Sequence, residues 1–228
     1  MEKIPILCDS SSLIALTDSC FLDIVYNLHK SGNASFLIPD SVRRECIDRP
    51  LTIKQYSMAA VRLLDAVNDG VLEEIKMNLD IDIDQVLEIS NNIFYARGKS
   101  MHLVDRGEAG LIAAANKLDI KSILMDERTT RMLIEEPDAL KSHLANELNV
   151  HIAVNEANMA KFQEMTKGIN VFRSSELILI AYEKGWFNRF QGIEIDALRA
   201  ALYRVKFAGC SVSFDEIDEA VSVYVSKR

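Results

Sequence analysis

A chain of 228 residues has room for one sizeable α/β domain, with or without a helical extension, and 49% hydrophobic with 26% charged residues is an ordinary globular balance. No apolar stretch reaches the roughly 18–20 residues that span a bilayer, and Met1-Glu2-Lys3-Ile4-Pro5 lacks the apolar core of a secretion signal, so the expected compartment is the cytoplasm. The formal net charge of −8 argues against a surface that coats polyanions generally, leaving local basic groups such as Arg43-Arg44, Arg49, Arg128 and Arg131 to guide phosphates.

Ile4-Pro5-Ile6-Leu7-Cys8 reads as a buried strand ending in Asp9, and Ser10-Ser11-Ser12 caps a helix that begins at Leu13-Ile14. A second helix runs from about Cys20 to Lys30, with Phe21, Ile24, Val25 and Leu28 on one face, and stops at Ser31-Gly32-Asn33. Phe36-Leu37-Ile38 is a short strand. Pro39-Asp40-Ser41 then opens a helix on which Val42 and Glu45 share a face. Residues 53–69 form an amphipathic helix ending at Gly70, and Val71 to Ile75 a strand. Asp80-Ile81-Asp82-Ile83-Asp84 alternates like a calcium loop but lacks its Gly and its closing Glu. It reads instead as a solvated loop capping a helix to about Ala96, broken by Gly98.

Asp105-Arg106-Gly107-Glu108 leads into Ala109-Gly110-Leu111-Ile112-Ala113-Ala114-Ala115, a helix small enough in profile to approach a sheet closely. Ile123-Leu124-Met125 is a strand ending in Asp126. Helices follow at 128–135, 138–148 and 155–167, with Val171-Phe172 an edge strand or a loop. Ser174-Ser175-Glu176 caps a helix through Lys184, and helices near 195–207 and 214–224 complete the chain. This alternation predicts a three-layer α/β/α fold around a central parallel sheet, with a core over 1–150 and a mostly helical part over 151–228 packed on it.

The chemistry rests on four acids. Asp9 and Asp126 each end an apolar strand, while Glu45 and Glu108 lie near helix starts, so four separate segments deliver carboxylates to the carboxyl edge of one sheet. Crowded carboxylates raise one another's pKa, and a hard divalent cation such as Mg²⁺ or Mn²⁺ relieves that repulsion. A plainer structural role stands beside each. Asp9 is also an N-cap with Ser11, Glu45 a solvated partner of Arg44 or Arg49, and Glu108 a first-turn acid. Asp126 is also a strand-end turn, and Glu127 pairs four residues on with Arg131. Arg128 and Arg131, three apart on one helix face, are candidate phosphate contacts. Cys8, Cys20, Cys46 and Cys210 and the four histidines show no metal-site or catalytic spacing. Trp186-Phe187 reads as packing at a helix end before it reads as a base-stacking pair.

Four segments, in this order, resemble the PIN domain. They are Cys8-Asp9-Ser10-Ser11-Ser12-Leu13-Ile14, Ile38-Pro39-Asp40-Ser41-Val42-Arg43-Arg44-Glu45, Gly107-Glu108-Ala109-Gly110-Leu111-Ile112-Ala113-Ala114-Ala115 and Leu124-Met125-Asp126-Glu127-Arg128. The likeness spans about residues 4–136, and Ser174 to Gly185 with Phe207-Ala208-Gly209-Cys210 is similar to the closing part of certain prokaryotic PIN-like proteins. It implies a nuclease fold whose acids hold one or two Mg²⁺ or Mn²⁺ ions and activate water against a phosphodiester, usually of RNA. Residue by residue it implies Asp9, Glu45, Glu108 and Asp126 as the catalytic acids, with Asp9, Glu108 and Asp126 on the metal. Ser11 matches the hydroxyl beside the first acid, and Glu127 is a further acid. The chain departs from the pattern at Leu124, where many members carry Ser or Thr, and in an added helical element between Glu136 and Ser174. The expected function is a metal-dependent endoribonuclease acting on single-stranded RNA, oligomeric and open to restraint by an antitoxin-like protein. The alternatives are a catalytically weak module that binds RNA or a protein partner, and an enzyme acting on a small phosphorylated molecule.

Overall fold

The computed structural model describes residues 3–225. In β1 (Ile4–Cys8) the last three residues are buried, as a strand covered on both faces requires. The chain continues through α1 (Ser10–Asp18) and α2 (Leu22–Lys30) to β2 (Ala34–Pro39) and a single turn, α3 (Asp40–Arg43). Residues Arg44–Asp48 then widen into a π-helical turn, in which the Arg49 N–H reaches back to the Arg44 carbonyl at 3.0 Å. After α4 (Ser57–Asn68) and β3 (Leu72–Ile75) come α5 (Asp80–Ser90), the short strands β4 (Phe94–Ala96) and β5 (Lys99–Ser100), and α6 (Arg106–Leu118). The remainder is β6 (Ser122–Leu124), α7 (Arg128–Glu135), α8 (Pro137–Leu148), β7 (Ile152–Val154), α9 (Glu156–Met165), β8 (Asn170–Phe172), α10 (Ser174–Glu183), α11 (Glu194–Phe207) and α12 (Phe214–Val225).

Five strands form the central sheet in the order β3-β2-β1-β6-β8, every neighbouring pair parallel. Helices flank it, giving the three-layer α/β/α arrangement expected from the alternation of elements. The strand order reverses at β1, since β2 and β3 build outward on one side and β6 and β8 on the other. The gap between the carboxyl ends of β1 and β6 is therefore the topological switch point, where open α/β sheets take their ligands. Val171-Phe172 is a strand, and it supplies the sheet's outer edge from beyond residue 150.

The helix α6 is buried almost all round. Its Leu111, Ala114 and Ala115 join the main core with Leu7, Phe36 and Ile38 of the sheet and Leu177, Leu198, Leu202 and Val221 of the last three helices. Its Ala109, Ile112 and Ala113 face a second cluster built around Phe94, Leu133, Ile152 and Phe162. A helix wedged between two cores must be narrow, which explains its alanines; a Cβ on Gly110 would already touch Ile83 at 3.7 Å.

Two expectations change here. The Asp80 to Asp84 stretch is the first turns of α5 rather than a loop, and that helix stops at Ser90, not near Ala96. Phe94-Tyr95-Ala96 is instead a strand, because Arg97 and Gly98 adopt left-handed conformations (φ 51° and 77°) and close a two-residue hairpin onto Lys99. The same strand pairs antiparallel with β7, so a second, three-stranded sheet covers the smaller core. Among the described residues no helix is long and apolar enough to cross a membrane.

Candidate active site

Asp9 leaves the end of β1 with its N–H bonded to the Leu124 carbonyl of β6 at 2.9 Å, which fixes it at the switch point. It is the N-cap of α1, its Oδ2 accepting from the Ser11 N–H at 3.1 Å and also from the Ser11 hydroxyl. The capping role and the site role are thus the same geometry. Asp9 is only 5% exposed, and that burial raises its pKa against the opposing Ser11 bonds, with the charge on Glu45 adding to the rise.

Glu45 sits on the π-helical turn, a distortion that often accompanies functional positions. It pairs with neither Arg44 nor Arg49; its Oε2 accepts from the Ser10 hydroxyl at 2.9 Å. The carboxylate also lies over the first turn of α6, where a Cβ on Gly107 would stand 3.8 Å from Oε1 and 3.9 Å from Oε2. The absent side chain leaves room for an anion at the positive end of a helix. Ser10 and Gly107 carry no candidate signal of their own in the sequence, although both sit inside the motif segments.

Glu108, at the third position of α6, accepts from the Asp105 N–H at 2.8 Å and closes the helix start. Partial burial, then the charges of Asp9, Asp105 and Glu127, push its carboxyl up to about 7. Glu127 does not pair with Arg131. It caps α7, accepting from the Thr129 and Thr130 N–H groups at 2.8 and 2.6 Å, and Arg131 pairs with Glu135 at 3.2 Å instead. Glu108 and Glu127 share a cavity of about 190 Å³ with His102 and Asp105. The imidazole there lies 2.6 Å from the Asp105 carboxylate.

Asp126 is different. Its Oδ1 accepts from the Ser174 N–H at 2.7 Å and its Oδ2 from the Ser174 hydroxyl at 2.6 Å, both buried. The carboxylate therefore anchors the start of α10, and at 1% exposure it is closed to solvent. The structure brings Asp9, Glu45, Glu108 and Glu127 into one electrostatic neighbourhood and turns Asp126 toward the C-terminal helices. No sequence signal pointed to Ser174 as its partner across 48 residues.

Arg128 and Arg131 lie on the face of α7 opposite Glu127 and open into a separate cleft. Phe187 is buried in the main core, 5.8 Å from the Tyr182 ring, and Trp186 packs against that core, so this pair fastens a helix end. Cys8, Cys46 and Cys210 are buried and Cys20 is exposed, all with free thiols.

The implied cation can be tested against these donors. The oxygen ligands are of the right kind for Mg²⁺ or Mn²⁺; burial first, and then the charge of Glu45 on Asp9 and of Asp9 on Glu108, raises both carboxyls, and a cation would offset both effects. Among the described residues no three acidic, histidine or cysteine side chains stand already gathered for an ion. The donor chemistry fits, with Asp9 as the fixed member and the longer Glu45 and Glu108 as the adjustable ones. No family model matches the sequence, and no curated protein matches it.

Proposed function

We propose that this chain is a divalent-metal-dependent endoribonuclease of the PIN type, working in the cytoplasm. The observation that carries the reading is Asp9, a buried carboxylate at the switch point of a parallel sheet with its pKa raised by burial and by Glu45. A carboxylate held there against its own solvation serves stability poorly and a cation well. Asp9, Glu108 and Glu45 would hold the ion. When bound, the ion supplies positive charge against the scissile phosphate and a water acidified toward neutrality.

The protein's own part is positional. Ser11 fixes one oxygen of Asp9, and Ser10 steadies Glu45. Glu108, seated at the start of α6 by the Asp105 N–H at 2.8 Å, would offer its carboxylate to the same ion. Asp126 holds α10 against the end of β6 through Ser174 and thereby stiffens the wall of the crevice. In this reading its role is support rather than ligation.

A second reading draws on that same residue. With both Asp126 oxygens bonded to Ser174, one of the four acids of the PIN pattern is spoken for, which favours a weak or inactive module that binds RNA or a protein. One experiment separates the two. Purified protein is incubated with single-stranded RNA and Mn²⁺, beside Asp9→Asn and Glu108→Gln. Cleavage by the wild type that both substitutions abolish supports the nuclease. Tight RNA binding without cleavage in any variant supports the module.

A further inference from the structure

The helix α7 divides the surface at its first turn. Glu127, Thr129 and Thr130 face the carboxylate cavity, while Arg128, Arg131 and Met132 face a cleft of about 460 Å³ on the other side. The far wall of that cleft comes from the end of α11 and the segment leading into α12, with Lys206, Ser211 and Ser213. In a chain of net charge −8, three cations are thus gathered one residue away from the acids.

These cations are incompletely used. Arg128 is exposed and makes no ion pair or hydrogen bond with another described residue. Arg131 gives one terminal nitrogen to Glu135, but its Nε is buried without a partner. The Ser211 hydroxyl, on the opposite wall, is likewise buried and unpartnered. Arg131 and Ser211 both line the cleft, so its walls hold two polar side chains whose bonding within the fold is incomplete. Lys206 is held in place by the Val212 carbonyl and by the Phe214 ring, 4.5 Å from its Nζ.

The negative groups at the cleft do not cancel this charge. Glu216 is committed to Arg173 at 2.9 Å and to the Ser213 N–H at 2.7 Å. Burial pushes the Cys210 thiol up to about 12, so it stays neutral. Glu135 answers part of the Arg131 charge at 3.2 Å, and the exposed Glu136 also lines the cleft, so the positive surplus rests mainly on Arg128 and Lys206.

We propose that this cleft binds the phosphodiester backbone of the RNA strand beside the linkage being cut, with Arg128, Arg131 and Lys206 as its phosphate contacts. The identity of the strand rests on the nuclease reading; the anion chemistry of the cleft does not. Arginine presents a planar fork to phosphate oxygens, and a fixed ammonium adds a point charge. A strand whose scissile phosphate lies at Asp9 and Glu108 would pass over the first turn of α7 and into this cleft.

The test uses the full chain with a single-stranded oligoribonucleotide and a dinucleotide. Arg128→Ala/Lys206→Ala should bind the oligonucleotide about 10-fold or more weakly, and the slope of log affinity against log salt should fall by roughly one per phosphate contact removed. The loss should be smaller for the dinucleotide than for the longer strand, since a strand that engages both the acids and the cleft must pass over the first turn of α7. Arg128→Glu, at an exposed and unpaired position, repeats the test without touching the Lys206 anchor. Unchanged affinity and salt slope in both variants overturn the proposal, whatever the cleavage assay shows. If the wild type cuts nothing yet both variants lose affinity, the cleft stands and the nuclease reading falls. A wild type that neither binds nor cuts RNA overturns both.

Discussion

β1 and β6 lie side by side, each ending its apolar run near an aspartate, and the two aspartates have opposite fates. Asp9 is buried among other acids, with its pKa raised. Asp126 is buried more deeply yet fully engaged by the N–H and hydroxyl of Ser174. The strand end alone does not make a site. What decides is the segment that arrives opposite: at Asp9 it brings Glu45, and at Asp126 it brings a helix start with donors.

The largest effect should fall on the engaged member of the pair. Asp126→Ala strands the buried Ser174 N–H and leaves its hydroxyl only the Ser12 carbonyl at 3.5 Å, and should cost about 2–4 kcal/mol in urea unfolding. A loss well under 1 kcal/mol would erase the contrast between the two aspartates. Asp9→Asn should do the reverse. It keeps an acceptor for the Ser11 N–H and removes a repelled charge, so stability should hold or rise while RNA cleavage falls ~100-fold, or about 2.7 kcal/mol of transition-state stabilisation. Parallel melting curves and cleavage rates check both halves.

Glu108 sharpens the comparison through pH. Its folded-state carboxyl, about 7, lies above the ordinary 4.5, so between those values the folded chain holds a proton that the unfolded chain has released. Stability of the metal-free protein should therefore decline as pH rises from about 4.5 to 7 and level off above. The contribution is on the order of 1 kcal/mol after allowing for solvent around a partly exposed group. Glu108→Gln keeps the acceptor for the Asp105 N–H and should flatten that decline; an identical pH profile in the variant would count against a carboxyl raised by burial and by its acidic neighbours. The smallest effect belongs to Gly107→Ala. A methyl group there meets the Glu45 carboxylate at ordinary contact distance, and the helix gains an alanine, so stability should shift by less than about 1 kcal/mol. The proposed RNA cleavage, assayed in that variant, tests whether Glu45 needs its seat on α6.

The central sheet was legible because its strands are buried on both faces and read as unbroken apolar runs, as in Ile6-Leu7-Cys8 and Ile123-Leu124. The second sheet was not, because three-residue strands are too short to show a period. Phe94-Tyr95-Ala96 follows a helix closely enough to pass as its continuation, and Arg97 gives little warning of a left-handed turn. At the site, Asp9, Glu45 and Glu108 were marked by local signals, namely a strand end and two helix starts. The direction of a side chain is not local. Whether Asp126 or Glu127 faces the crevice depends on Ser174, and the π-helical turn under Glu45 has no sequence signature of its own.

The outermost strand, β8, has a consequence for how this protein is made. A nascent chain that has left the ribosome only as far as residue 150 carries β6 with one bare edge and Asp126 with nothing to cap. That edge stays uncovered until residues 170–174 are delivered, so the interval between synthesis of β6 and synthesis of β8 is when this chain is most exposed to chaperones and to its own neighbours on a polysome.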